Sequence, residues 1–142
     1  MDENDSRGWL DLRKQLWDRV DEEVHVSEML GIYKNPETQL ILVADAGGGN
    51  IVGFLEASIR PFVEDCHTDH VGYLEGWYVL PEHRRRGIGL KLVEGAERWA
   101  VENGCVEMAS DSEVGNELSL EAHLSFGYKE TSRLVHLRKN LA

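Results

Sequence analysis

A chain of 142 residues with 42% hydrophobic side chains has the length of one domain and can bury a core without metal or disulfide staples. Its 26 acidic residues against 15 basic ones, a formal net charge of -11, argue against the broad basic face that nucleic acid requires and suit either a cationic partner or simple solubility. The longest apolar runs, such as Leu40–Ala44, are too short to span a membrane, no secretory leader precedes the first helical pattern, and Cys66 and Cys105 lack Cys-x-x-Cys spacing, so a cytoplasmic, reducing compartment is expected.

Trp9, Leu12 and Leu16 recur at helical spacing from Gly8 to Trp17, and Val26, Met29, Leu30 and Tyr33 do so from Glu22 to Tyr33, so two helices are expected first. Strands from Leu40 to Ala44 and from Ile51 to Ile59 flank Gly47-Gly48-Gly49-Asn50, a hairpin turn rich in residues that accept positive φ. A polar loop from Pro61 to His70 leads to a third strand, Val71 to Val79. Next comes a helix with Leu92, Ala96, Trp99 and Ala100 on one face, which stops at Asn103-Gly104. A short strand from Val106 to Ala109, a helix from Asn116 to Phe126 closed by Gly127, and a last strand from Tyr128 to Leu137 complete the order. Helices, then antiparallel strands, then alternating strand and helix define an α/β (α+β) fold with a mixed, mostly antiparallel central sheet flanked by helices, in a single domain spanning 1–142.

Between the third strand and its helix stands Arg84-Arg85-Arg86-Gly87-Ile88-Gly89. Two glycines at a helix opening let the backbone approach a ligand with its N–H groups free, and the arginines add positive charge in an acidic chain, which makes a seat for phosphates. The alternative is an exposed arginine cluster at a helix start. Neither the dinucleotide pattern Gly-x-Gly-x-x-Gly nor the Gly-x-x-x-x-Gly-Lys of nucleoside triphosphate sites is present. Arg84-x-x-Gly87-x-Gly89, preceded by Glu75-Gly-Trp-Tyr-Val-Leu-Pro81, resembles the pyrophosphate loop of the GNAT superfamily of N-acetyltransferases, which bind acetyl-CoA.

Chemistry on an amine needs a group to remove its proton, because an alkylammonium has a pKa near ~10. Glu75 is the first candidate. Strand alternation places it on one face with Trp77 and Val79, and a carboxylate on a central strand calls for a cleft, whereas on an edge strand it would face water. Asp111 follows Met108-Ala-Ser110 at a strand end, where ligands meet open α/β sheets; it could instead cap a turn. Cys66, His67 and His70 lack a fourth ligand in spacing, so no metal site is expected.

Leu12-Arg-Lys-Gln-Leu-Trp17, Leu74-Glu-Gly76, Val79-Leu-Pro81, Arg84-x-Arg-Gly87, Met108-Ala-Ser-Asp111 and Phe126-Gly-Tyr-x-Glu-Thr131 together resemble the aminoglycoside 6'-N-acetyltransferases over nearly the whole chain. That resemblance implies direct acetyl transfer from acetyl-CoA to an aminoglycoside 6'-amine, and antibiotic resistance. Trp17 would contact the aminoglycoside, while Glu75 and Asp111 would hold and help deprotonate its amines. Trp77, Tyr78 and Val79 would meet the pantetheine arm, Arg84, Arg85, Arg86, Gly87, Ile88, Gly89 and Leu90 the pyrophosphate, and Asn116 the coenzyme. His123 stands where many GNAT members carry a tyrosine that protonates the leaving thiolate, a role histidine can fill near neutral pH; Tyr128 could serve instead, or His123 could simply pack between helix and sheet.

The chain departs from that pattern at several acceptor positions. Val20 stands where a polar contact is expected, Phe62 where a tyrosine is, and Ser132 where a further acidic contact is, which bears on which aminoglycosides are accepted. Another amine acceptor, such as a polyamine or peptide N-terminus, and a non-catalytic acyl-CoA sensor are the rival readings. Relatives commonly form dimers through their C-terminal strands, so a homodimer is expected, with Leu134, Val135 and Leu137 serving such an edge; the same residues would also suit a monomer's core. Relatives usually open with a strand, which the apolar-poor start of this chain does not show.

Overall fold

The computed structural model describes residues 2–142, which divide into one compact unit reaching to Asp111 and a second from Ser112 to Ala142. In the first, α1 (Glu3–Leu16) starts five residues before the periodic pattern does. Asp2 caps it, accepting the Asp5 N–H at 2.7 Å, and Glu3 and Asp5 suit the positive end of the helix dipole while Arg13 and Lys14 suit the other. Periodicity reads only the buried face and misses this polar first turn. Among the described residues no strand precedes α1.

Helix α2 (Glu22–Lys34) and strands β1 (Gln39–Asp45), β2 (Ile51–Arg60) and β3 (Val71–Val79) fall close to their expected places. The β1–β2 turn uses Gly47, Gly48 and Gly49 at φ of 123°, 63° and 83°, a run of backbone that side chains would strain. Helix α3 (Ile88–Glu102) ends at Asn103, and β4 is the short stretch Met108–Ser110. The sheet order is β1-β2-β3-β4, antiparallel except for the final pair, so β3 is an interior strand.

Side-chain alternation along β1 sorts the helices. Ile41 and Val43 pack against the cluster of Trp9, Leu12, Met29, Ile51 and Phe54 from α1, α2 and β2. Leu42, between them, points the other way: a Cβ added to Gly95 of α3 would stand 3.0 Å from its Cδ1. Helices α1 and α2 therefore cover one face and α3 the opposite one. Close approach is built in at Gly8, where a Cβ would come within 2.6 Å of Ile51 Cβ, so α1 rests directly on β2.

The register of β2 and β3 slips in mid-strand. Glu56 pairs with Gly76 and Ala57 with Leu74, leaving Glu75 as the extra residue of a β-bulge. Gly76 and Tyr78 face α1, since a Cβ on Gly76 would meet the Trp17 ring and Tyr78 packs on the Trp9 cluster. The bulge brings Glu75 to that same side, where it bonds Ser58. Simple alternation had grouped Glu75 with Trp77 and Val79; the bulge separates them.

In the second unit, α4 (Glu117–Ser125) is capped by Asn116, whose Oδ1 accepts the Ser119 N–H at 3.2 Å, and is closed by Gly127 at φ 95°. Asn116 and Phe126 are thus caps rather than helical residues. The expected strand from Tyr128 to Leu137 does not form: residues 128–142 have no regular secondary structure. A few apolar residues state what a segment can bury, but a strand exists only when a neighbouring strand completes its ladder, and Leu137 is 90% exposed.

Candidate active site

The loop after β3 presents main-chain donors. Leu80 leads into a 3-10 turn, Pro81–His83, after which the Arg84 Nε donates to the Val79 carbonyl at 2.8 Å while its guanidinium lies 5.2 Å from the Tyr78 ring. Arg84 is therefore a strut of the loop. Arg85 has φ 64° and Gly87, the residue before α3, φ 79°, so the chain turns sharply twice and aims the opening amides of α3 outward. The amide of Lys91 is the first to reach back to Gly87, at 3.1 Å, which leaves the N–H groups of Ile88, Gly89 and Leu90 at the positive end of the helix with exposed Arg85 and Arg86 beside them. That donor set fits an anionic diphosphate. Alongside it, β4 pairs with β3 only from Gly72 to Leu74, so the edge of β3 from Glu75 to Val79 has no strand beside it on that side.

On the α1–α2 face lies a cleft of about 540 Å³ lined by Arg13, Trp17, Val20, Glu28, Glu56 and Glu75 among others. Its floor is a buried network. Glu56 takes the Trp9 indole N–H at 2.7 Å and the Arg13 Nε and Nη2 at 2.7 and 3.1 Å. The Arg13 Nη1 stands 3.0 Å from His25 Nδ1 and 3.3 Å from the His25 carbonyl. A guanidinium only donates, so Nδ1 accepts, the ring carries its proton on Nε2, and that N–H donates to the Trp17 carbonyl at 3.2 Å. Arg13 also lies 4.8 Å from the Trp17 ring centre, and Phe54 meets the ring edge-on at 5.9 Å. Trp17 is thereby held against Gly76 as a wall of the cleft.

Glu75 and Asp111 are linked through two intermediaries. Ser58 Oγ donates to Glu75 Oε1 at 2.6 Å, and Arg60 reaches the carboxylate through Nε (3.3 Å to Oε1) and Nη2 (2.8 Å to each oxygen). The Arg60 guanidinium lies 3.6 Å above the Tyr73 ring, and the Tyr73 hydroxyl donates to Asp111 Oδ2. Burial, then the Asp111 carboxylate, push the Tyr73 phenol well above its usual range, so it remains a donor.

The structure therefore brings Trp17, Val20 and Glu75 into one cleft and ties Asp111 to Glu75, whereas Phe62 is 72% exposed on the loop before β3 and does not line it. Asn116, His123 and Ser132 belong to the second unit. There His123 is buried, its Nδ1 lies 2.7 Å from the Ser119 carbonyl and so carries the proton, and its ring meets Tyr128 edge-on at 6.0 Å. Among the described residues no cluster of His, Cys, Asp and Glu could hold a metal ion, and no helix is long and apolar enough to cross a membrane.

Sequence reasoning did not find Arg13, His25, Glu56, Ser58, Arg60 or Tyr73. Two signals were available: Glu56 interrupts an apolar strand, and Arg13 sits on the Trp9–Leu12–Leu16 face of α1, so an apolar face and a core strand each carry one opposite charge. Nothing local marks Arg60.

A strand, an arginine-glycine turn and a helix whose first amides point outward stand in the same unit as a carboxylate-lined cleft, the first suited to an anion and the second to a cation. The model of the acetyltransferase (GNAT) family matches residues 7–128, and the chain belongs to that family. It is 42% identical over 139 residues to the aminoglycoside N(6')-acetyltransferase type 1 of Klebsiella aerogenes, covering 96% of this chain and 91% of that one. Among solved structures it is similar to the aminoglycoside antibiotic 6'-N-acetyltransferase AAC(6')-IG of Acinetobacter haemolyticus, with a TM-score of 0.92 at 38% identity over 100% of this chain and 97% of the other. It is also similar to AAC(6')-Iy in complex with the bisubstrate analogue CoA-S-monomethyl-acetylneamine, with a TM-score of 0.91 at 35% identity over 99% and 95% of the two chains.

Proposed function

We propose that this N-acetyltransferase transfers the acetyl group of acetyl-CoA directly to the 6'-amine of an aminoglycoside antibiotic, and so confers resistance. The observation that carries the acceptor is the cleft itself: Trp17 offers an apolar plate for a sugar ring, and three carboxylates, Glu28, Glu56 and Glu75, line it, while the two guanidinium groups that meet them, Arg13 in the lining and Arg60 behind Glu75, leave one negative charge over. That balance favours a polycation.

The loop from Arg84 to Leu90 seats the pyrophosphate on amides and guanidinium groups, the β3 edge at Trp77, Tyr78 and Val79 receives the pantetheine arm, and the Asn116 side chain adds a contact to the coenzyme. When bound, acetyl-CoA supplies an activated acyl carbonyl. Glu75 and Asp111 accept hydrogen bonds from the ammonium groups, and with a bridging water they take the proton that an amine of pKa near ~10 must lose before it can attack. A β3 backbone N–H polarises the carbonyl under attack. His123 delivers the proton the leaving thiolate needs, with Tyr128 as the alternative donor. Val20, which lines the cleft where a polar contact is expected, tunes which aminoglycosides are taken. Two free cysteines suit work in the cytoplasm, the acidic surface suits neither nucleic acid nor an anionic membrane, and the exposed Leu134, Val135 and Leu137 suit a homodimer.

Thiol release from acetyl-CoA, measured with a kanamycin-type aminoglycoside, a polyamine and a peptide N-terminus, tests this reading. Release with the aminoglycoside well above the other two is expected. Preference for a polyamine or peptide would replace the acceptor, and release with none would make the protein an acyl-CoA sensor.

A further inference from the structure

Glu75 is engaged from one side only. Ser58 and Arg60, both on β2, converge on Oε1, which takes a hydroxyl and both approaching guanidinium nitrogens, whereas Oε2 takes Arg60 Nη2 alone. A carboxylate oxygen has room for two donors, so Oε2 keeps capacity for another. Glu75 lines the cleft and Arg60 is not among its lining residues. The guanidinium is itself held, its carbon 3.6 Å from the ring centre of Tyr73, whose hydroxyl bonds Asp111.

We propose that Arg60 is a positioning residue for the acceptor amine: from outside the cleft it pins Glu75 so that Oε2 meets the amine, and through Tyr73 it fixes the spacing of Glu75 and Asp111. The bulge makes such a pin necessary. Glu75 is the residue without a cross-strand partner, so the ladder that orients side chains elsewhere in β3 does not orient it. Only a planar fork can bond the carboxylate and stack on the ring at once; a lysine keeps the charge and loses that geometry. The alternative role, a resident cation that competes with the acceptor for Glu75, makes the opposite kinetic prediction.

The proposal rests on Glu75 acting on the acceptor, and the test separates the two. Steady-state kinetics with acetyl-CoA and a kanamycin-type aminoglycoside are compared for wild type, R60M, R60K, E75Q and the double variant R60M/E75Q, with thermal melts as a folding control. Misplacing a reacting group by an ångström costs on the order of a hundredfold, so kcat of R60M should fall by about ten- to a hundredfold, with KM for acetyl-CoA unchanged and R60K in between. In the E75Q background R60M should add nothing. Should R60M fail to fold, S58A loosens the same Oε1 edge and carries the same kcat test. An R60M enzyme with wild-type kcat and a lower acceptor KM overturns the pin in favour of the competitor, and a kcat loss of equal size with and without Glu75 overturns it in favour of a general structural role. Full turnover by E75Q removes the Glu75 reading and this proposal together, whereas an impaired E75Q beside an unimpaired R60M removes this proposal alone.

Discussion

The acceptor cleft and the loop before α3 both handle charge, by opposite means. In the loop the groups on offer are amides of consecutive residues, 88–90, and exposed arginines, of which Arg84 is tied to a carbonyl five residues away. In and beside the cleft the polar groups are answered from other elements: Arg13 by Glu56 across 43 positions, Trp9 by Glu56 across 47, Tyr73 by Asp111 across 38 and Glu75 by Arg60 across 15. A phosphate seat can be made by the local conformation of one short segment. A cleft for a flexible polycation needs carboxylates held at fixed spacing, and in this fold only contacts between elements supply that.

If this contrast is right, single substitutions in the cleft should be costly. Glu75→Gln should lower kcat by about two to four orders of magnitude, the usual worth of a positioned base, with little change in KM for acetyl-CoA. A variant with both carboxylates replaced, Glu75→Gln with Asp111→Asn, that kept turnover would end the two-carboxylate description. Arg13→Met tests the buried floor. It strands Glu56, which lies almost wholly inside, and breaking one side of such a pair should cost about 3–5 kcal/mol in urea denaturation. Replacing Glu56 as well, by Leu, should restore much of that loss, because the penalty comes from the uncompensated charge.

The same contrast governs what could be read in the sequence. The loop was legible because its conformation is written in adjacent residues: Gly87 adopts the positive φ that its glycine permits and the helix begins just after it. Glu75, Asp111 and Trp17 stood out as residue types in a familiar pattern, and the structure places Trp17 and Glu75 at one cleft. Arg60 did not stand out, because its partners lie on β3 and nothing beside Pro61 announces them. The bulge at Glu75 was missed for a related reason, since period-two reasoning has no means of counting a residue that the partner strand skips. The segment from Tyr128 to Leu137 was overread: its apolar residues Leu134, Val135 and Leu137 suit a strand, but pairing is a property of two strands.

A smaller effect probes how Trp17 is seated. A Cβ at Gly76 would lie 2.6 Å from Trp17 Cζ2 and 3.1 Å from Cη2, so Gly76→Ala must move the indole. Overpacking of this kind costs about 1–3 kcal/mol, and here it should appear mainly as an acceptor KM several-fold higher, with KM for acetyl-CoA unchanged. The loop should respond in the reverse sense. Arg85 holds φ 64° at a cost that glycine avoids, so Arg85→Gly should melt higher than Arg85→Ala by about 1 kcal/mol, while both raise the KM for acetyl-CoA equally by removing one charge. Unequal acetyl-CoA KM values would mean that backbone shape at Arg85, more than its charge, serves the phosphate.

The smallest effect comes from a place where the protein supplies its own anion to a seat of amides. Glu107 accepts the N–H of His67 at 3.0 Å on each oxygen, and the Thr68 N–H and hydroxyl at 2.8 and 2.6 Å on Oε1, fastening the loop before β3. The Thr68 hydroxyl, then the His67 amide, hold its carboxyl below the ordinary value of 4.5. Because the folded pKa is the depressed one, the contribution is fully present above 4.5 and is lost as pH falls through the lower folded value. Glu107→Gln should therefore melt slightly below wild type at neutral pH, and the gap should close in acid, where the wild-type carboxyl is also neutral. Amide exchange at His67 and Thr68 should quicken over the same interval. A gap that persisted in acid would assign the seat to shape, and would weaken the argument that amide donors in this chain, here as at α3, are arranged for negative charge.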